Sequence, residues 1–107
     1  MDPVKKLAEM LEEAGIPFEY NVEKYKEPYP YKSVFGPCEA DAYSLNQVLY
    51  GRFEDIDHWK LDAVWQRGSF GRHGHLLEVY GEMIGPEPRT LTTDEVFKMI
   101  EADWKKQ

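Results

Sequence analysis

Cysteine is nearly absent: Cys38 is the only one in 107 residues, so neither an internal disulfide nor a multi-thiolate zinc site can staple the fold. Packing must hold it. Histidine is scarce too, at three, which leaves few imidazoles for a metal centre. Positive charge is in deficit, with 13 Lys and Arg against 20 Asp and Glu for a net charge of −7. General binding to nucleic acid needs a surplus of cations to neutralise phosphates, so direct contact with DNA or RNA is not expected. No apolar run approaches the roughly 18 to 20 residues of a membrane span, and the N-terminus lacks the basic, apolar, small-residue order of a secretory signal. The reading is a cytoplasmic protein without membrane association. Aromatic residues, by contrast, are plentiful: seven Tyr, five Phe and three Trp, enough for a small core with rings left for a ligand or partner. The length suits one domain with one core.

The chain ends carry the clearest local signals. Asp2 followed by Pro3 is a cap residue before a ring that tolerates the first helical position, and Val4, Leu7, Ala8 and Leu11 recur at helical spacing. This predicts a helix over residues 3–14, stopped by Gly15 at a left-handed cap and by Pro17 beyond it. Phe18 to Val22 alternates apolar and polar side chains and reads as a strand. Residues 23–40 hold Pro28, Pro30, Gly36 and Pro37, which interrupt ladder bonding and imply an irregular excursion. Residues 41–50 suit either a short helix ended by Gly51 or, as preferred here, a strand over 45–50. Leu61, Ala63 and Trp65 alternate with Asp62, Val64 and Gln66, and a second alternating run spans His75 to Tyr80. A glycine-containing loop joins them, which predicts an antiparallel hairpin. After Gly85, Pro86 and Pro88, Thr92 and Glu95 form a capping box with Leu91 and Val96 placed as its hydrophobic staple. Val96, Phe97, Ile100 and Trp104 carry the apolar stripe onward, and Lys105 and Lys106 suit the negative end of the helix dipole. Together these predict a single α+β domain, residues 1–107, with an antiparallel sheet of three or four strands covered by the N- and C-terminal helices.

The hairpin reads Asp62-Ala63-Val64-Trp65, then Gly68-Ser69-Phe70-Gly71, Gly74 and Leu76-Leu77-Glu78-Val79-Tyr80-Gly81. With Leu7-Ala8-Glu9-Met10-Leu11, Ala14-Gly15-Ile16-Pro17-Phe18-Glu19 and Leu91-Thr92-Thr93-Asp94-Glu95-Val96-Phe97, it resembles a group of small proteins encoded by bacteriophages and prophages of Gram-positive bacteria. The resemblance covers about half the chain; residues 23–60 depart from the group's pattern. It implies a phage accessory setting, in the cytoplasm of an infected bacterium, and carries over no catalytic residues. Small phage accessory proteins are often counter-defence factors that bind host immune proteins or sequester their nucleotide signals.

Between Ala63 and Leu77 there is no carboxylate, while Arg67 and Arg72 supply two cations. Closely spaced glycines let backbone N–H groups converge on an anion, and arginines offer forked donors to phosphate oxygens. Trp65 and Phe70 have faces on which a base can stack, and Ser69, His73 and His75 complete the candidate ligand set. The plain alternative is an ordinary Gly-rich turn, since the pattern matches no established phosphate loop. His73 and His75, spaced to share one side of a strand, could join His58 or Glu78 around a metal; loop histidines facing solvent are the simpler account, and no metal or other cofactor is expected. Cys38 beside a histidine could form a nucleophile and base pair, but its spacing supports none and the adjacent Glu39 disfavours a thiolate. Glu54 and Asp57 read as solvated surface before they read as an acid and a base. A non-enzymatic protein is expected.

Two further features concern partners. Glu12, Glu13, Glu39, Asp41, Glu54, Asp55 and Asp57 could present carboxylates where a nucleic-acid-binding protein expects phosphates, or serve only solubility. The stretch Lys24-Tyr25-Lys26-Glu27-Pro28-Tyr29-Pro30-Tyr31-Lys32 is a candidate contact for a partner or a second copy, or a cover for the sheet. The function expected is that of a phage-type accessory protein, of counter-defence kind, that binds a nucleotide-type or other anionic ligand through the 65–75 hairpin. The alternative is an acidic inhibitor that mimics nucleic acid and binds a host defence protein directly.

Overall fold

Both helices end where local chemistry ends them. The computed structural model describes residues 2–24, 44–53, 58–65 and 76–106. Helix α1 spans Pro3–Glu13; the Asp2 carboxylate accepts from the N–H groups of Val4 at 2.8 Å and Lys5 at 3.3 Å, satisfying donors that have no partner inside the helix. At the other end Gly15 takes a φ of +72°. Its N–H donates to Glu12 O, and Ile16 N–H donates to Leu11 O at 3.0 Å. This pair of bonds is a Schellman stop, and Ile16, buried, folds back onto the core that Leu11 enters. Helix α2 spans Thr93–Lys105, and the Thr92–Glu95 capping box forms in full, with both reciprocal bonds at 3.1 Å.

Among the described residues five strands lie between the helices: β1 (Glu19–Lys24), β2 (Ser44–Phe53), β3 (His58–Trp65), β4 (Leu77–Tyr80) and β5 (Arg89–Leu91). They pair antiparallel in chain order, β1-β2-β3-β4-β5. The expected α+β architecture is present, with one strand more than the upper expectation of four. That extra strand, β5, has three residues; wedged between Pro88 and the α2 cap, it is too short to show an alternation. Residues 23 and 24, expected to begin the irregular stretch, continue β1 opposite Leu45 and Ser44. The strand reading of 45–50 holds, and the strand extends to Phe53. Residues 25–43 lie outside the described part of the chain.

Register divides the sheet into two faces, because side chains alternate along each strand. One row runs Tyr20, Val48, Ala63, Val79; beside it lie Tyr50 opposite Leu61 and Leu77 opposite Leu91. This face meets both helices. Val48, Leu61, Ala63, Trp65, Leu77, Val79 and Leu91 share one core with Val4, Leu7, Leu11, Val96 and Ile100 of the helices. Leu77 and Val79 point inward as their alternation predicts. The two helix N-termini are tied by Thr93 Oγ1 donating to Pro3 O at 3.1 Å, a buried bond across 90 residues of sequence.

After β4 the chain turns hard against β3. Gly81 adopts a φ of +120°, and a Cβ there would sit 2.5 Å from Lys60 O. Only glycine fits. The close approach lets Met83 N–H donate to Lys60 O at 3.0 Å, so pairing to β3 continues past the end of β4.

Candidate functional site

The hairpin singled out from the sequence is described at its stem. Val64 pairs with Glu78, Ala63 with Val79 and Asp62 with Tyr80, and the strands on either side of residues 66–75 end in buried residues. Trp65 is 5% exposed and belongs to the core; its ring is committed to packing because odd-numbered positions of β3 face the helices. Leu77, on the other strand, is fully buried. Arg67, Ser69, Phe70, Arg72, His73 and His75 lie outside the described residues, as do Cys38, Glu39, Asp41, Glu54, Asp55, Asp57 and the tyrosines at 25, 29 and 31. Of the acids read as a surface, Glu12 and Glu13 are exposed on α1.

The sheet face turned away from the helices carries a polar row. Asn21 Nδ2 donates to Gln47 Oε1 at 3.4 Å, and Gln47 Nε2 donates to Asp62 Oδ1 at 2.9 Å, linking β1, β2 and β3. Leu49 and Val64 are buried on this same face, and that apolar surrounding pushes the Asp62 carboxyl above its ordinary range while the Gln47 bond holds it partly down. On β4 Tyr80 OH donates to Glu78, whose side chain is buried. His73 and His75, the candidate partners of Glu78 around a metal, lie outside the described residues; among the described residues no group of three His, Cys, Asp or Glu side chains is placed to hold a metal ion.

A second constellation sits toward the opposite end of β3 from Trp65. Tyr50, 2% exposed, reaches out of β2 to α2 and donates its hydroxyl to Asp103 Oδ2 at 2.6 Å; Lys60 Nζ meets the same oxygen at 3.1 Å. Burial and the bond to Asp103 hold the Tyr50 phenol well above its ordinary range. The lysine gets there by lying across Gly51, where φ is +71° and a Cβ would come within 2.7 Å of Lys60 Cδ. Beside this tie opens a cleft of about 310 Å³, lined by Phe18, Glu19, Leu49, Tyr50, Trp59 and Trp104 together with Pro17 and Gly51. The sequence reading missed it. Its residues come from four separate elements, and the nearest signal was the surplus of aromatics; Trp104, assigned to the buried stripe of α2, is 37% exposed at the cleft.

Compared with protein-family models, with curated proteins and with solved structures, the chain matches none of them. No described helix is long and apolar enough to cross a membrane.

Proposed function

We propose that the protein is a non-enzymatic accessory binding protein, of the bacteriophage kind that the sequence resemblance implies, and that its ligand is an anion of nucleotide type held by residues 66–75. The observation that carries this reading is the stem: a stretch containing Arg67 and Arg72 and no acid, in a chain of net −7, leaves two strands locked in register whose end residues Trp65 and Leu77 are buried. Binding segments work best on a scaffold that does not move beneath them. Trp65 then acts as an anchor of the strand end, and the forked donors of Arg67 and Arg72 meet phosphate oxygens. Such a protein would sequester a nucleotide signal and so serve counter-defence.

The test is calorimetric titration of the purified protein with linear and cyclic nucleotides, beside the double variant Arg67→Ala, Arg72→Ala. Saturable binding that disappears in the double variant, with an unchanged melting curve, is the expected result. Binding that survives the double substitution, or no binding by the wild type, rejects the assignment.

A further inference from the structure

We propose that strand β1 is the docking edge for a second copy of this chain, the two β1 strands pairing antiparallel about a two-fold axis to make one continuous sheet. β1 stands last in the strand order, so β2 takes one of its sides and no described residue pairs with the other. Such an edge presents unpaired N–H and C=O groups on alternate residues, and proteins commonly blunt it with a short strand, a proline or a bulge. The far edge is blunted in this way: β5 has three residues and follows Pro88. β1 has six residues and no proline, and it pairs with β2 residue for residue.

The side chains along this edge select the occupant. Tyr20 and Val22 share a sheet face with Val48, Ala63 and Trp65, the face that meets the helices. Yet they are 38% and 48% exposed, and among the described residues Val22 is the most exposed large hydrophobic. Side chains keep to one face across an antiparallel pair, so an axis through Val22 sets the two Val22 residues opposite each other with Tyr20 of each copy diagonally adjacent. Between α1 and β1 lies a groove of about 460 Å³, lined by Lys5, Ala8, Glu9, Glu12, Phe18 and Tyr20, with room for side chains of an incoming strand. Its α1 wall carries Lys5 toward one end and Glu12 toward the other. A two-fold operation reverses that order, so each copy offers an acid where the other offers a base. A peptide of one charge sign matches only part of this wall. The inference is independent of the anion reading, which concerns the chain between β3 and β4.

The experiment is sedimentation velocity of the full chain. One strand and one groove per copy make a small, weak interface, so monomer should give way to dimer at concentrations on the order of 100 μM. Val22→Lys puts a charge at an exposed position of the edge and should keep the chain monomeric, with an unchanged far-ultraviolet spectrum. Trp104→Ala, exposed at the aromatic cleft, should dimerise as the wild type does. A thiol trap reads the register and does not depend on how Val22→Lys folds. In a Cys38→Ser background, Val22→Cys should give a disulfide-linked dimer on mild oxidation, because residues directly opposite lie within disulfide reach. Thr90→Cys, exposed on β5, should not. A wild type that stays monomeric to about 1 mM, a dimer that survives Val22→Lys, or equal cross-linking at both positions would overturn the proposal. A dimer lost in Trp104→Ala and kept in Val22→Lys would do so too, and would move the contact to the cleft.

Discussion

At the scale of single residues, Gly81 and Tyr50 shape the end of the sheet, and Gly15 the end of α1. Gly81 combines a φ of +120° with a backbone oxygen 2.5 Å from where a Cβ would stand, whereas Gly15, at +72°, has nothing within 4 Å. The two substitutions should therefore separate. Gly81→Ala should cost about 3 kcal/mol or more, from strain plus displaced backbone, and Gly15→Ala about 1 kcal/mol from strain alone. Urea denaturation of both variants measures this, and equal losses would show that the β3–β4 junction yields easily. Tyr50 is the other case. Its hydroxyl bond to Asp103 joins β2 to α2, so Tyr50→Phe should destabilise by about 1 kcal/mol at neutral pH. The folded phenol titrates above the unfolded value of 10.0, so its contribution is full below pH 10.0 and is lost as the pH climbs past that value. The gap between wild type and variant should close over that alkaline range; a gap that widens contradicts the assigned bond.

At the scale of elements, the helices stand on their caps and the sheet on its register. Thr92→Ala removes the hydroxyl that accepts from Glu95 N–H at 3.1 Å and should lower stability by about 1 kcal/mol, read as a drop in melting temperature, with the far-ultraviolet spectrum retained. The Thr92 backbone N–H bond in turn holds the Glu95 carboxyl below its ordinary range. Asp62 behaves in the opposite sense. Burial raises its folded pKa above the unfolded 3.8, so the folded state is favoured at or below pH 3.8 and loses that contribution as the pH rises through the folded value. Asp62→Asn, which keeps an oxygen for Gln47, should gain stability over wild type as the pH is raised from 4 to about 7. An advantage that shrinks with rising pH would show the charge to be well accommodated.

At the scale of the whole molecule, a net charge of −7 on 107 residues sets a repulsive background that screening relieves. The melting temperature should rise by a few degrees between low and molar salt; a fall would mean that ties such as Lys60–Asp103 outweigh the repulsion. This scale also shows how far the sequence could be read. The start and stop of α1, the capping box of α2 and the inward turn of Leu77 and Val79 were legible because each rests on neighbours within about a turn or on strict alternation. β5 was not, since a three-residue strand leaves no period to detect. Trp104 shares the helical spacing of the core stripe, yet its ring is 37% exposed and lines the cleft instead.

The amino-acid sequence by itself determined the helix ends, the pairing of β3 with β4 and the sign of the charge, all of which depend on local chemistry or on composition. Tertiary structure alone decided that Phe18, Leu49, Trp59 and Trp104 share a cleft and that Tyr50 and Lys60 meet on Asp103. Those groups lie as much as 86 positions apart in the chain, and only the packing of α2 onto the β1–β2–β3 end of the sheet brings them within reach of one another.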